Sequence, residues 1–408
     1  MKKAFGIFLL TVLLGAVICA GCGEGNPDAP AASGGKKEAG DSVIVVADTQ
    51  CPTSLDPAQS WDSWYTSRWG ITETLYMLDE NLNPYPFLAE SCEMLDETTW
   101  VITLRDDVTF QNGKPLTAES VKACWERTAE INARFDEILY IDRMEAEGQT
   151  LIVETTQPVP AFRNGLCEPL TGIIDVDSGT DPAAAPVGTG PFLAVSYEKN
   201  LRCQVKKYEN YWGGEPEADG AVIYIIADTA TMTLAQQNGE IDISVSMPGS
   251  SLKLFADSSR YRVDDVPGSR GQILYFNYEN EILQQSAVRQ AVSRLIDKES
   301  YASVINRNAS VSTWGLYPDF MAYGASEKEG YAYDPEEAAR ILDAAGIVDV
   351  DGDGIREWNG EDLSLRLVTY STKAELPLFG NELSASAEKI GLDIQTEVYE
   401  SVTEQQKT

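Results

Sequence analysis

A chain of 408 residues with 64 acidic and 31 basic side chains has a formal net charge of −33, and its length is enough for two domains. That charge argues against nucleic-acid binding, which requires clustered Lys and Arg side chains to neutralise phosphates. The chain contains no histidine, which excludes histidine-based acid–base chemistry, Ser-His-Asp and Cys-His nucleophiles, and imidazole ligation of nickel or zinc.

The first 41 residues have the character of an export signal followed by a tether. Lys2 and Lys3 precede an uncharged apolar run over 4–20 that is marginal in length for crossing a bilayer. Ile18-Cys19-Ala20-Gly21-Cys22 is similar to the bacterial lipobox, although Cys19 stands where Leu is usual. We therefore interpret residues 1–22 as a lipoprotein signal peptide and Cys22 as the lipidated residue; an ordinary cleaved signal with an incidental Cys22 is the alternative. Residues 23–41, rich in Gly, Ala and Pro, are predicted to form a flexible tether.

Beyond residue 41, strand-like runs alternate with amphipathic helices, which predicts an α/β fold with mixed sheets. Strands are predicted at Ser42 to Asp48, Trp100 to Arg105, Leu151 to Thr155, Val222 to Ile226, Ile241 to Ile243, Leu274 to Asn277, Leu363 to Thr369 and Leu392 to Val398. Helices are predicted after Thr117, between Asp228 and Gly239, from Gln285 to about Asn306, from Asp334-Pro335 to Gly346, and from Glu382 to Ile390. The helix predicted from Gln285 has an apolar stripe of Val288, Ala291, Val292, Leu295 and Ile296. The helix predicted from Asp334-Pro335 has one of Ala338, Ile341, Leu342 and Ala345.

An ordered set of short motifs gives the chain its resemblance to a known family. The motifs are Leu55-Asp56-Pro57, Glu73-Thr74-Leu75-Tyr76, Pro86-Phe87-Leu88-Ala89-Glu90-Ser91, the run from Trp100 to Leu116, Gly188-Thr189-Gly190-Pro191-Phe192, the run from Tyr208 to Gly214, Val288-Arg289-Gln290-Ala291-Val292 and Asp334-Pro335-Glu336-Glu337-Ala338. Together they resemble the family 5 solute-binding proteins, which are the oligopeptide, dipeptide and nickel receptors of ABC importers.

The resemblance implies a two-lobed fold of the type II periplasmic-binding-protein kind, with mixed sheets and a smaller extra domain. Residues 42–281 would form lobe I with the inserted small domain, and residues 282–408 would form lobe II, with hinges near Gly188 and Ile282. The lobes would enclose a small peptide or a metal chelate for an ABC permease and ATPase. A lipid anchor would hold the protein at the extracellular or periplasmic face of the cell membrane.

The resemblance also implies a set of ligand-binding residues. Arg134 matches a cleft arginine of the nickel receptors, where its planar fork would bind a carboxylate; a surface arginine paired with Glu130 or Asp136 is the alternative. Glu168 falls where those receptors have a second arginine and would repel an anionic chelate or meet a ligand amine. Trp64 and Tyr65, in an aromatic cluster, are predicted ligand contacts or else lobe core. Tyr275 and Asn277 complete the predicted set.

Several other motifs are predicted to have structural roles. Gly188-Thr189-Gly190-Pro191 is predicted to be a tight turn with glycines at positive φ. Arg105-Asp106-Asp107 is predicted to pair at the surface, and Tyr211-Trp212 to pack on the surface of a lobe. The five cysteines that follow the tether lack C-x-x-C spacing and are predicted to be mostly core thiols.

The sequence also bears on calcium binding and on catalysis. Asp349, Asp351 and Asp353, with Gly354 in the sixth position, match the start of a calcium loop, but position 12 is Gly360 rather than a bidentate Glu. Calcium is therefore a candidate ligand, and no other cofactor is predicted. Without histidine and without an evident carboxylate pair, we do not predict an enzyme. A ligand-sensing co-receptor of a membrane signalling protein would use the same cleft.

The resemblance stops short at the C-terminus, since family members continue beyond the strand at Leu392 to Val398 and return to the first lobe. On that ground the chain is expected to lack the return segment and to retain ligand weakly or not at all. The alternative to a working receptor is a non-functional truncated paralogue. A measurement of ligand binding by the 408-residue product distinguishes a working receptor from such a paralogue.

Overall fold

Strands and helices alternate along the chain in a computed structural model that describes residues 42–264, 271–306, 317, 330–371, 373 and 375–400. The strands are β1 (Val43–Asp48), β2 (Tyr76–Leu78), β3 (Pro84–Pro86), β4 (Ala89–Met94), β5 (Thr99–Leu104), β6 (Ile141–Glu147), β7 (Thr150–Thr155), β8 (Phe192–Glu198), β9 (Arg202–Lys207), β10 (Gly220–Ile225), β11 (Ile243–Ser244), β12 (Glu357–Trp358), β13 (Glu361–Asp362), β14 (Ser364–Tyr370) and β15 (Asp393–Tyr399). The helices are α1 (Ser63–Arg68), α2 (Ala118–Ile131), α3 (Arg134–Leu139), α4 (Phe162–Gly165), α5 (Thr229–Asn238), α6 (Ser286–Arg294), α7 (Lys298–Ser300), α8 (Pro335–Ala344) and α9 (Glu375–Glu388).

A five-stranded mixed sheet has the order β11-β1-β10-β9-β8. β1 runs parallel to both β10 and β11, whereas β9 is antiparallel to β10 and β8. In the β1–β10 register Val43 lies opposite Gly220, and Asp48 lies opposite Ile225. The carboxyl ends of β1 and β10 therefore meet at one edge of the sheet, the edge at which open α/β sheets place their ligands.

Residues 75–174 contain a second, antiparallel sheet of order β4-β5-β7-β6 with its own apolar core. α2 packs on this sheet and buries Trp125, whose indole Nε1 donates to the Thr171 carbonyl at 2.9 Å. The helix begins as predicted at Thr117, where the Thr117 and Ser120 side chains each bond the other residue's backbone N–H in a capping box.

The C-terminal part of the described chain forms another apolar core. β14 and β15 pair in parallel and are joined by α9, while α6 packs against α8. α8 begins where predicted, with the Asp334 carboxylate accepting from the Glu337 N–H at 2.8 Å. α9 begins at Glu375, seven residues earlier than predicted, and its first turn accommodates Pro377 because the missing N–H there has no partner within the helix.

Three predictions in this part are wrong. The helix predicted from Gln285 to Asn306 ends at Arg294, because the Asp297 carboxylate caps a new turn by accepting from the Ser300 N–H. The strand predicted at Leu274 to Asn277 is irregular chain without a pairing strand among the described residues. Ala345, predicted to face inward on α8, is exposed.

The Gly188-Thr189-Gly190 segment does not have the positive φ angles that were predicted for it. Neither glycine has a positive φ. Instead, a Cβ on Gly188 would lie 1.9 Å from the Ile71 carbonyl oxygen, and one on Gly190 would lie 2.3 Å from that of Gly70. The glycines are therefore required because two backbone segments run against each other, and not because the chain turns sharply.

Some predictions fall outside the described residues or are not tested by them. The signal peptide, Cys22 and the tether lie in 1–41, outside the described part, as do residues 401–408. The lobe boundaries and the hinges near Gly188 and Ile282 stay predictions. None of the described helices combines the length and apolar character that crossing a membrane requires.

Candidate functional site

A cavity of about 500 Å³ opens at the sheet edge where β1 and β10 end. Its walls come from the segment after β1, the start of α1, the β8–β9 turn and the end of β10; the lining residues include Gln50, Cys51, Trp61, Asp62, Tyr65 and Asn200. This volume is in the range of small-molecule sites. We call it the edge cavity.

The floor of the edge cavity is fixed by the buried carboxylate of Asp62. One oxygen accepts from the Thr53 backbone N–H at 2.7 Å, and the other accepts from the Ser54 N–H at 2.8 Å and from both hydroxyls. A carboxylate with this many donors is stable when buried. Asp62 therefore holds the segment after β1 against the start of α1.

A partly buried ion pair connects the loop between β1 and α1 to α2. The Asp56 carboxylate binds Arg127 in a bidentate manner at 3.0 and 2.5 Å. Directly after the last residue of α2, the Asn132 side-chain amide donates to the carbonyls of Ala58 and Ser60 at 3.1 and 3.0 Å. Ser60 has a positive φ of 45°, a conformation that a non-glycine residue keeps only when its surroundings fix it. The Leu55-Asp56-Pro57 motif thus positions the loop between β1 and α1 against α2.

Arg134, Trp61 and Glu168 form a cluster beside the cavity. The Arg134 guanidinium lies over the Trp61 ring, 3.5 Å from its centroid, and its Nη2 donates to Glu168 Oε1 at 3.4 Å. Its Nη1 is buried and has no hydrogen-bond partner among the described residues. The partner of Arg134 is therefore Glu168, and not Glu130 or Asp136. The structure brings two predicted ligand residues together, and Trp61 links them to the cavity that it lines.

Tyr65 and Trp64 differ in their surroundings. Tyr65 lines the cavity while its ring packs edge-on against Trp69 at 5.8 Å, so it serves both the site and the core. Burial raises the pKa of its phenol, Arg68 opposes that shift, and the nearby Asp48 adds to it. Trp64 is 41% exposed and does not line the cavity.

Tyr275 and Asn277 lie away from this cluster. Tyr275 is 83% exposed, and the Asn277 side chain accepts from the backbone N–H of Glu279 in a local turn. The structure does not bring either residue to the edge cavity, so their assignment as ligand residues stays a prediction.

Sequence reasoning missed the role of Glu73, a buried carboxylate that joins three motifs. It accepts from the Tyr211 hydroxyl, from the Trp212 indole at 3.0 Å and from the Thr189 hydroxyl at 2.8 Å. Burial raises its pKa, although the three donors act in the opposite direction. Tyr211 and Trp212 are thus bound to a carboxylate rather than simply packed on a surface. The sequence offered one indication of this role, which is that Glu73 belongs to the Glu73-Thr74-Leu75-Tyr76 motif.

The predicted calcium loop places its three aspartates together. One carboxylate oxygen each from Asp349, Asp351 and Asp353 lies within 4.8 Å of the others, and all three residues are exposed. Each already accepts a backbone N–H of the loop, which leaves other lone pairs for a cation. Calcium binding here stays a prediction.

Millimolar calcium is expected to raise the Tm by about 2–4 °C if this loop binds the ion with the weak affinity of extracellular sites. Differential scanning fluorimetry measures the shift. Asp351→Asn should abolish it, whereas Asp96→Asn, which alters another exposed aspartate turn, should retain it. An equal shift in wild type and Asp351→Asn would contradict calcium binding at the loop.

Comparison with known proteins identifies the family. A family model for bacterial extracellular solute-binding proteins, family 5 Middle, matches residues 83–408. The nickel-binding protein NikA of Staphylococcus aureus is 25% identical over 325 residues, which cover 80% of this chain and 64% of NikA. The glutathione-binding protein GsiB of Salmonella typhi is 26% identical over 363 residues, which cover 85% of this chain and 70% of GsiB.

A solved structure supports the same assignment. The nickel ABC transporter structure from Bacillus halodurans matches with a TM-score of 0.70 at 30% identity, over 89% of this chain and 76% of that one. This likeness confirms the predicted α/β fold of the type II periplasmic-binding-protein kind. The chain belongs to the bacterial extracellular solute-binding proteins of family 5.

Proposed function

We propose that the chain is the extracellular solute-binding component of an ABC importer and captures a small peptide or a metal chelate. The permease and ATPase of the importer would be its partners, and acylated Cys22 would anchor it to the cell membrane. Two of its relatives are a nickel-binding and a glutathione-binding protein, which supports this class of ligand. The match spans less than two thirds of the length of the nickel-binding relative.

The observation that carries the proposal is the unpaired Nη1 of Arg134. Leaving a buried charged donor without a partner costs about 1–3 kcal/mol or more, a cost that a ligand oxygen would remove. The guanidinium is held by Trp61 and Glu168 beside a cavity of small-molecule size. A guanidinium forms strong charge-assisted hydrogen bonds with a carboxylate, and both peptides and amino-acid chelates carry a carboxylate.

Arg134→Ala is expected to weaken ligand binding by about 10- to 100-fold, because a hydrogen bond between charged groups contributes about 1.5–3 kcal/mol. Isothermal titration calorimetry with trialanine and with a nickel–histidine complex, at millimolar concentrations, measures the effect. Arg143→Ala removes an exposed arginine from the antiparallel sheet and serves as the control.

The proposed function is contradicted if neither probe binds the wild-type chain at any concentration tested. If Arg134→Ala and Arg143→Ala both bind the probes as the wild-type chain does, Arg134 is not the carboxylate ligand and the binding site lies elsewhere. Comparable melting curves for the three proteins establish that the variants are folded.

A further inference from the structure

The Arg134–Glu168 pair offers a ligand more than one kind of contact. Glu168 Oε1 accepts from Arg134 Nη2, and within the described residues no donor is bonded to Oε2. Arg134 in turn has its Nη1 buried and unpaired beneath the Trp61 ring, so a ligand reaches it from the edge cavity when that ring moves aside. The pair therefore combines one free donor on a cation with one free acceptor on an anion, a pattern complementary to a carboxylate accompanied by an ammonium group.

The backbone at Glu168 does not depend on its side chain. Its carbonyl oxygen accepts from the Thr171 N–H at 2.8 Å and from the Thr171 hydroxyl at 2.9 Å, which holds the turn that follows. The carboxylate itself contacts Arg134 and is 23% exposed. A substitution that changes only the charge at this position should leave the fold intact.

The charges around the edge cavity do not favour an anion. Asp62 lines it and is buried, and Asp48 lies close enough to the Tyr65 phenol to act on it. Arg68, which lies over the Tyr65 ring at 5.0 Å, is the cation on that side. Because Glu168 offsets Arg134, the cavity and its rim have no surplus of positive charge to hold a ligand that is only negative.

We propose that Glu168 sets the charge preference of this site, which accepts a carboxylate only when a cationic group accompanies it. The favoured ligand is a short zwitterionic peptide, with its carboxylate on Arg134 and its ammonium group near Glu168. A ligand of the same shape without the ammonium group meets an unbalanced carboxylate and is rejected, which is specificity by repulsion. This inference rests on the proposed function and narrows its ligand class.

A matched pair of ligands tests the preference. Trialanine has both charges, whereas N-acetyl-trialanine keeps the carboxylate and loses the ammonium charge. The wild-type chain is expected to bind trialanine at least tenfold more tightly than the acetylated peptide. In Glu168→Gln, whose amide oxygen still accepts from Arg134, the ratio of the two Kd values should fall to about one to two, and in Glu168→Asp it should be largely retained.

Glu145→Gln is the control, since Glu145 pairs with Arg143 at the surface, and this variant should keep the wild-type ratio. A ratio unchanged by Glu168→Gln, or a wild-type chain that binds both peptides equally, overturns the charge preference and leaves the proposed function standing. A wild-type chain that binds neither peptide but binds a nickel–histidine complex overturns the zwitterionic-peptide assignment. Failure to bind any of the three ligands overturns the proposed function as well.

Discussion

Gly188→Ala is expected to lower the free energy of unfolding by about 3 kcal/mol or more. The added Cβ would lie 1.9 Å from the Ile71 carbonyl oxygen, which belongs to rigid backbone. Relief requires the two segments to separate, and the Gln111 side-chain amide joins them by donating to the Ile71 carbonyl on one segment and to the Gly190 carbonyl on the other, at 3.4 and 3.0 Å. Urea unfolding followed by circular dichroism measures the loss.

Gly113→Ala separates steric contact from backbone preference. Gly113 has a φ of +84° and open space where a Cβ would point, so alanine there costs about 1–2 kcal/mol of left-handed strain. Gly188 lacks a positive φ, and its cost is purely one of contact. Should the Gly188→Ala midpoint equal that of wild type, the close approach of these segments would be wrong.

Asp56→Ala is expected to lower the free energy of unfolding by about 2–3 kcal/mol, because it leaves the partly buried Arg127 guanidinium without its carboxylate. The two side chains are only 6% and 26% exposed, and the pair is bidentate. The same pair fastens the loop that carries Trp61, so ligand affinity should fall together with stability. Chemical denaturation and a trialanine titration measure the two effects.

A double-mutant cycle identifies the cause of that loss. Asp56→Ala combined with Arg127→Met removes the uncompensated charge and should recover more than half of the stability. Lys122→Met, which removes a partly exposed cation from the same helix, should recover none when combined with Asp56→Ala. Equal recovery by both combinations would show that the Asp56–Arg127 pair is not the reason for the effect.

Local hydrogen-bonding signals were the most predictable part of this fold. Thr117, Asp228 and Asp334 each precede a helix, and each side chain accepts from a backbone N–H three residues later. The break at Asp297 could have been found by the same rule, since its carboxylate bonds Ser300 in the same way. The apolar stripe through 288–296 favours one continuous helix and so conceals the capping signal at Asp297.

Contacts between distant residues were not predictable from local pattern. Arg134 and Glu168 are 34 residues apart, and both were singled out only because they match positions in a family. Nothing local to Trp61 shows that its ring lies against Arg134. Glu73 meets Thr189 across 116 residues, and no periodicity indicates which carboxylate will accept a distant donor.

The Gly188-Thr189-Gly190 segment shows why a correct motif can have the wrong explanation. A glycine is required where φ is positive and also where another backbone approaches closely, and the sequence does not distinguish these causes. The structure places the carbonyl oxygens of Ile71 and Gly70 against the two glycines. The segment is therefore a packing contact between chain segments.

A crystal structure of the chain with bound trialanine is the most direct test of the proposed ligand site at Arg134 and Glu168. We expect peptide density in the edge cavity, with a carboxylate oxygen within hydrogen-bond distance of Arg134 Nη1 and the ammonium group near Glu168. Density elsewhere, for example in the cavity between Lys253 and Ser303, with Trp61 still covering an unliganded Arg134, would contradict the account.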